Sequence, residues 1–110
     1  MTTDEAQANP DSVTSIIFVF GEPARVLFDY GTNRSFISTS FALYANWELT
    51  PFRSKLVVTT PLGERILRTF MFKGCEVLVE GVVLKANLIP LEMSDFDVIL
   101  GTDWLSIIGL

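Results

Sequence analysis

The 110-residue sequence contains no histidine. Without an imidazole, the chain cannot use the Ser-His or Cys-His pairs that activate a nucleophile, and a histidine-ligated metal site is excluded as well. Any hydrolytic chemistry in this chain must therefore depend on carboxylates, which can act as general acids and bases.

Cysteine is almost as scarce, since Cys75 is the only one in the sequence. No intrachain disulfide can form, and this favours a reducing compartment such as the cytoplasm. Cys75 follows an apolar stretch, where a buried structural thiol is the simpler interpretation and a reactive thiol is the alternative.

Positive charge is limited too. The chain has 8 Lys and Arg against 13 Asp and Glu, for a net charge of −5, and its basic residues are scattered. Because phosphate binding needs clustered basic residues, a nucleic-acid partner is disfavoured. No apolar run approaches the ~18 residues of a membrane span, and the N-terminus lacks the features of a signal peptide. We expect a soluble chain with no membrane partner.

The most informative feature that is present lies at residues 26–37, where an aspartate ends an apolar strand. Residues 26–28 predict a buried strand that delivers Asp29 onto a turn at Gly31. Burying a carboxylate there costs free energy unless it is hydrogen-bonded, paired or neutral. Asp29 is therefore either a turn-capping residue or a working acid, and the commonness of Asp-x-Gly turns leaves both open.

Most of the chain is expected to form one domain. Residues 1–12 are polar and acidic, which predicts a flexible arm, and residues 13–110 form the domain, whose core is supported by an apolar content of 49%. Turn residues divide it mainly into hairpins, which predicts an all-β fold with one or two short helices. The predicted elements are strands 13–20 and 25–28 around a turn at 21–23, a helix at 38–46, strands 55–60 and 65–72 around a turn at 61–64, strands 76–79 and 82–89 around a turn at 80–81, a bend at 90–97, and a strand and helix at 98–105.

The domain contains an internal repeat. A hairpin, an apolar strand, a glycine turn and a helix occur around residues 28–31 and again around residues 99–102. The second copy has no Asp-x-Gly, so the two copies differ at the position of the carboxylate.

The loop at 29–37 resembles the active-site loop of the retropepsin-like aspartic proteases of gypsy-type retrotransposons. The residues that fit the pattern of that loop are Asp29, Gly31, Ser35, Phe36 and Ile37, and those that depart from it are Tyr30, Thr32 and Asn33. Residues 96–105 read Phe-Asp-Val-Ile-Leu-Gly-Thr-Asp-Trp-Leu and differ from a motif of the same family only at Thr102. The resemblance extends over about residues 15 to 108.

The resemblance implies a retropepsin-like fold and an endopeptidase that cleaves a retroelement polyprotein without a metal or other cofactor. It further implies a homodimer, because each chain carries one Asp-x-Gly and the chemistry needs two carboxylates. Asp29 would be the catalytic acid within an active-site loop formed with Tyr30, Gly31 and Thr32. The hairpin around Thr60-Pro61-Leu62-Gly63 would be the flap that closes over the peptide.

Two loop residues have open alternatives. Asn33 could bond the substrate backbone or form an Asx interaction that stabilises its own loop. Arg34 could face the substrate groove and favour acidic side chains, or it could be an ordinary solvated arginine.

Tyr30 is the main departure from the family pattern, which has Ser or Thr at this position. A phenol cannot place its oxygen where a short hydroxyl would bond across the dimer. The alternative function is therefore a catalytically impaired or inactive module that retains the fold for dimerisation or peptide binding.

Overall fold

The computed structural model describes residues 12–44 and 49–108, and this part of the chain is mostly β. The prediction of an all-β class with few short helices is confirmed. Residues 1–11, which make up nearly all of the predicted arm, lie outside the described residues. The strands are β1 (Ser12–Val19), β2 (Glu22–Asp29), β3 (Phe36–Ser38), β4 (Leu49–Thr59), β5 (Arg65–Val79), β6 (Val82–Leu91) and β7 (Val98–Leu100).

Two of the hairpins turn on a residue pair that ends in glycine. In the β1–β2 hairpin, Phe20 and Gly21 have φ angles of 58° and 80°, and in the β5–β6 hairpin, Glu80 and Gly81 have 50° and 81°. Consecutive positive φ angles are typical of the type I′ turn, whose twist matches that of the paired strands. The second turn is where the sequence predicted it. The first is not at residues 21–23, because the left-handed backbone reverses the chain within two residues and β2 already begins at Glu22.

β5 joins two hairpins that the sequence predicted as separate. It runs without interruption over 15 residues, and the pairing with β6 shifts register between Phe72 and Cys75. Gly74 accommodates this irregularity with a φ of 66°, and its N–H donates to Asn87 Oδ1 at 3.0 Å. The gap at 73–75 between the two predicted strands is therefore a glycine bulge within one strand.

The strands form one sheet that closes on itself. The order is β1-β2-β7-β3-β6-β5-β4, and an additional pairing of β1 with β5 leaves only β4 outside the closed set. Within it, β2 and β7 are parallel neighbours, with Val26 opposite Val98 and Phe28 opposite Leu100. The two copies of the internal repeat therefore lie side by side, and their glycine loops emerge at the same edge.

The helical segments are short. The predicted helix at 38–46 is a 3-10 helix at Phe41–Tyr44, and strand β3 intervenes between it and the Asp29 loop. The Ser38 Oγ accepts hydrogen bonds from the N–H groups of Ser40 and Phe41 at 3.1 and 3.3 Å and so caps the start of this helix. Residues 45–48 lie outside the described part of the chain. The predicted C-terminal helix is α1 (Thr102–Leu105). No helix within 12–44 and 49–108 is long and apolar enough to cross a membrane.

Side-chain alternation along β2 separates two apolar clusters. Val26 and Phe28 belong to the larger one, together with Val98, Leu100 and Trp104. Leu27 points to the other face and packs in a smaller cluster. That smaller cluster also contains Phe36, Val58, Met71, Ile89 and Ile99. Since Val58 and Met71 come from β4 and β5, the smaller cluster holds the β4–β5 hairpin against the sheet.

Cys75 is fully buried in the larger cluster, and burial raises the pKa of its thiol from 9.0 to about 12. The structural interpretation of this cysteine therefore agrees with its environment. Only the unfolded thiol ionises between these two pH values, so the unfolded state binds fewer protons there and the stability contributed by the neutral thiol is lost as pH rises from 9.

We predict that the free energy of unfolding falls more steeply above pH 9 in the unmodified protein than in Cys75→Ala, by up to about 1.4 kcal/mol per pH unit. Urea unfolding at several pH values on both sides of 9 measures the two slopes. Parallel slopes for the two proteins would contradict the buried-thiol assignment.

Candidate active site

Asp29 is the last residue of β2 and lies on the same face of the strand as Leu27. Its side chain is 7% exposed, and Oδ1 accepts a hydrogen bond from the Gly31 N–H at 2.8 Å. A Cβ at position 31 would stand 3.1 Å from that oxygen, so glycine leaves room for the carboxylate. The capping role expected for Asp29 is thus present, and it holds the carboxylate in one orientation.

The loop at Gly101 and Thr102, the second glycine loop, is hydrogen-bonded to the first glycine loop, which begins at Asp29. Thr102 donates its N–H to the Thr32 carbonyl at 2.9 Å, and its hydroxyl is 3.3 Å from the same oxygen. The Gly101 N–H donates to Ser35 Oγ at 3.0 Å, and that hydroxyl in turn donates to Asp103 Oδ1 at 2.7 Å. Thr32 and Ser35 are both buried. These bonds fix the middle and the far end of the loop that begins at Asp29.

Tyr30 makes none of the described hydrogen bonds between the two glycine loops. Its side chain is 45% exposed, whereas that of the next side-chain-bearing residue, Thr32, is 6% exposed. Tyr30 therefore lies at the surface, and the loop accommodates the residue that departs from the family pattern while keeping the bonds described above.

A cavity of about 240 Å³ borders Asp29. Its apolar floor is formed by Leu27 and Ile99, which face each other across β2 and β7. The last residue of β6, Leu91, and the segment between β6 and β7 form a second wall, in which Leu91, Met93 and Phe96 are half-buried. Pockets for drug-sized ligands measure about 300–1,000 Å³, so this volume is suited to part of a ligand, such as side chains of an extended peptide.

The β4–β5 hairpin closes the third side. Thr60, Pro61 and Leu62 line the cavity, and Leu62 at the tip is 90% exposed. The turn is tightly bonded, since the Gly63 N–H donates to the Thr60 carbonyl at 2.9 Å and the Thr60 N–H donates to Glu64 O at 2.7 Å. Gly63 has a φ of 92°, which a side-chain-bearing residue rarely adopts.

The remaining loop residues lie apart from this cavity. Asn33 is exposed and lines a more polar cavity of about 320 Å³ on the other side of the loop. That second cavity is also lined by Tyr30, Gly31, Thr32, Thr59, Thr60 and Thr102. Arg34 is half-buried and lines neither cavity. Gly63 is exposed and also lines neither cavity.

Sequence reasoning did not identify the wall between β6 and β7 as part of the site. Residues 91–96 read as a bend, and they approach Asp29 only because β7 pairs with β2. It placed Leu27 only within a buried strand, and this residue both packs in the smaller cluster and borders the cavity.

Comparison with known proteins identifies the family of this chain. Residues 1–108 match the family described as retroviral aspartyl protease. The chain belongs to this family.

Solved structures show the same fold. The chain is 20% identical to EIAV protease, solved in complex with an inhibitor, with a TM-score of 0.68 over 93% of this chain and 92% of that one. It is 15% identical to the retroviral protease-like domain of Ddi1 from Leishmania major, with a TM-score of 0.63 over 90% of this chain and 78% of that one. No curated protein sequence matches the chain. The predicted retropepsin-like fold is therefore confirmed.

The contact between the two glycine loops gives a prediction. A Cβ at Gly101 would lie 2.3 Å from the Arg34 carbonyl oxygen and 2.7 Å from that of Thr32. Both atoms are backbone and cannot move aside without displacing the Asp29 loop. We expect Gly101→Ala to lower the free energy of unfolding by about 1–3 kcal/mol or more, measured by urea denaturation. The exposed Ser94→Ala serves as control, and equal stability of the two variants would show that the loops are not in close contact.

Proposed function

We propose that the chain is a homodimeric aspartic endopeptidase. One observation carries this proposal: a buried, oriented carboxylate at Asp29 borders an apolar cavity that a β-hairpin covers. Aspartic proteolysis needs two such carboxylates. At the corresponding end of β7 the second copy of the repeat has Gly101, which has no side chain to contribute. The second carboxylate must therefore come from Asp29 of another copy across a two-fold axis.

In the proposed mechanism, the two carboxylates lie within hydrogen-bonding distance and share one proton, because like charges that close cannot both ionise. The ionised carboxylate accepts a proton from a water molecule while the oxygen of that water bonds to the peptide carbonyl carbon. The protonated carboxyl group donates its proton to the carbonyl oxygen. Collapse of the tetrahedral intermediate breaks the C–N bond, and the nitrogen leaves with a proton. The apolar floor and the hairpin, acting as a flap, would exclude bulk water during these steps.

The proposed substrate is a polypeptide that binds in extended conformation between the Asp29 loops and the flap. Direct contact with this peptide is supported for three residues that line the cavity, Thr60, Pro61 and Leu62. Asn33 would contact the peptide through the second cavity. Arg34 and Gly63 line neither cavity, so the turn conformation of Gly63 is its better-supported role.

The motifs at 60–63 and 96–105 support an origin in a gypsy-type retrotransposon, with the polyprotein of that element as substrate. The single, buried cysteine is consistent with action in a reducing cytoplasm, within the polyprotein or the particle.

A second candidate function rests on Tyr30. The residue is 45% exposed beside the loop that would meet its symmetry mate, and it replaces the short hydroxyl expected there. A module that dimerises or binds peptides without cutting them would tolerate this change, whereas a protease would lose activity through a weakened pairing of the loops.

We predict cleavage of an extended-peptide library in assays run from about pH 4 to 7, and loss of cleavage in Asp29→Asn. Sedimentation on the same sample reports whether a dimer is present. Absence of cleavage by a sample shown to be dimeric would reject the enzyme in favour of the binding module.

We further predict that Tyr30→Ser raises the cleavage rate about tenfold, because restoring a buried hydrogen bond of this kind contributes about 1–3 kcal/mol. Tyr30→Phe, which removes only the phenolic hydroxyl, is the matched control and should not increase the rate. Since Tyr30 is 45% exposed and makes none of the described hydrogen bonds that hold the loop, neither change should unfold the protein. An unchanged rate in Tyr30→Ser would support the binding module.

A further inference from the structure

The charged residues that line the cavity beside Asp29 are all acidic. Its lining includes four carboxylates, and among the described residues that line it there is no Lys or Arg. Asp29 is buried at the base, whereas Glu64, Glu92 and Asp95 are exposed. Acidic groups at the mouth of a cavity with apolar walls concentrate negative potential, which attracts cations.

The exposed carboxylates come from two separate elements. Glu64 follows the turn of the β4–β5 hairpin, and Glu92 and Asp95 lie between β6 and β7. A peptide that enters the cavity beneath the hairpin would therefore have acidic side chains on more than one side.

Neighbouring arginines have other partners. Arg68 donates from Nε to the Pro90 carbonyl and from a terminal nitrogen to the Leu67 carbonyl, both at 2.9 Å. The Arg25 guanidinium lies 5.6 Å from the centroid of the Phe96 ring. Neither side chain lines the cavity, so neither supplies a positive group at its surface.

The carboxylates are not arranged as a metal site. Within residues 12–44 and 49–108, no three His, Cys, Asp or Glu side chains are close enough together to hold a metal ion. Separate acidic groups around an apolar floor fit an organic cation on a partly apolar chain better than a compact ion.

On the basis of the proteolytic function proposed above, we propose that the cavity selects peptides in which Lys or Arg flanks the apolar side chain that enters it. This is the opposite of the preference for acidic side chains that a groove-facing Arg34 would have given. The apolar floor at Leu27 and Ile99 takes the apolar side chain, and Glu64, Glu92 and Asp95 attract the basic neighbours.

Three peptides test this selectivity. They share one apolar central residue and differ only in having Lys, Gln or Glu on both sides of it. Binding is measured by fluorescence anisotropy with the Asp29→Asn protein, which cannot cut the peptides, at low and at high salt. We expect the Lys peptide to bind about 3- to 10-fold more tightly than the Gln peptide at low salt, and this difference should shrink at high salt.

A matched pair of variants locates the effect. The triple variant Glu64→Gln, Glu92→Gln, Asp95→Asn should abolish the preference for the Lys peptide. Its control is the triple variant Glu22→Gln, Glu76→Gln, Glu80→Gln, which changes the net charge equally at exposed positions outside the cavity and should keep the preference. The single variants Glu92→Gln and Asp95→Asn, each expected to lose part of the preference, give the same test should the first triple variant fold poorly.

The outcomes separate the two proposals. Equal binding of the three peptides, no binding of any of them, or a preference that survives the cavity variant would overturn the selectivity. Cleavage of the same peptides by the unmodified protein is scored independently. Preferential binding without cleavage would support the selectivity and reject the protease, and cleavage without charge preference would do the reverse.

Discussion

The hydrogen bonds between the two glycine loops are the constraint on which the site depends. The Thr32 carbonyl accepts from Thr102, and the Ser35 hydroxyl links the Gly101 N–H to the Asp103 carboxylate. A buried hydroxyl that both accepts and donates has few alternative orientations. Because these bonds hold the loop at its middle and far end, and the Gly31 N–H bonds to Asp29 Oδ1, the carboxylate has a defined position even though it ends a strand.

Packing extends this constraint to the rest of the site. The alternation of side chains along β2 directs Val26 and Phe28 into the larger cluster, where the Phe28 and Trp104 ring centroids are 6.3 Å apart. It directs Leu27 and Asp29 towards the β4–β5 hairpin. The smaller cluster then places that hairpin over the carboxylate through Val58 and Met71. The alternation of side chains along β2 thus positions the acid, forms the floor of the cavity and orients the hairpin over it.

The site combines family features with features of its own. The family accounts for the fold, which this chain shares with EIAV protease at 20% identity. Tyr30 and three carboxylates of the cavity lie at the surface of the site. In the proposals above, Tyr30 bears on the assembly of the dimer and the carboxylates bear on peptide selectivity. Both can vary while the bonds within the loop are kept.

The sequence by itself determined the fold class, two of the turns, the internal repeat and the position of Asp29, because these depend on apolar patterning and on glycine and proline within a few residues. It located the first hairpin turn wrongly, since a left-handed Phe20 has no local sequence signal. It divided β5 in two, because a bulge glycine and a loop glycine look alike in sequence. Only the tertiary structure decided that residues 91–96 border Asp29, that Arg34 stays outside both cavities and that the cavity is acidic. Residues 91–96 reach Asp29 through the pairing of β7 with β2, between positions about 70 residues apart in the chain, and the smaller cluster brings the hairpin that carries Glu64 to the same cavity. No local sequence pattern encodes such contacts.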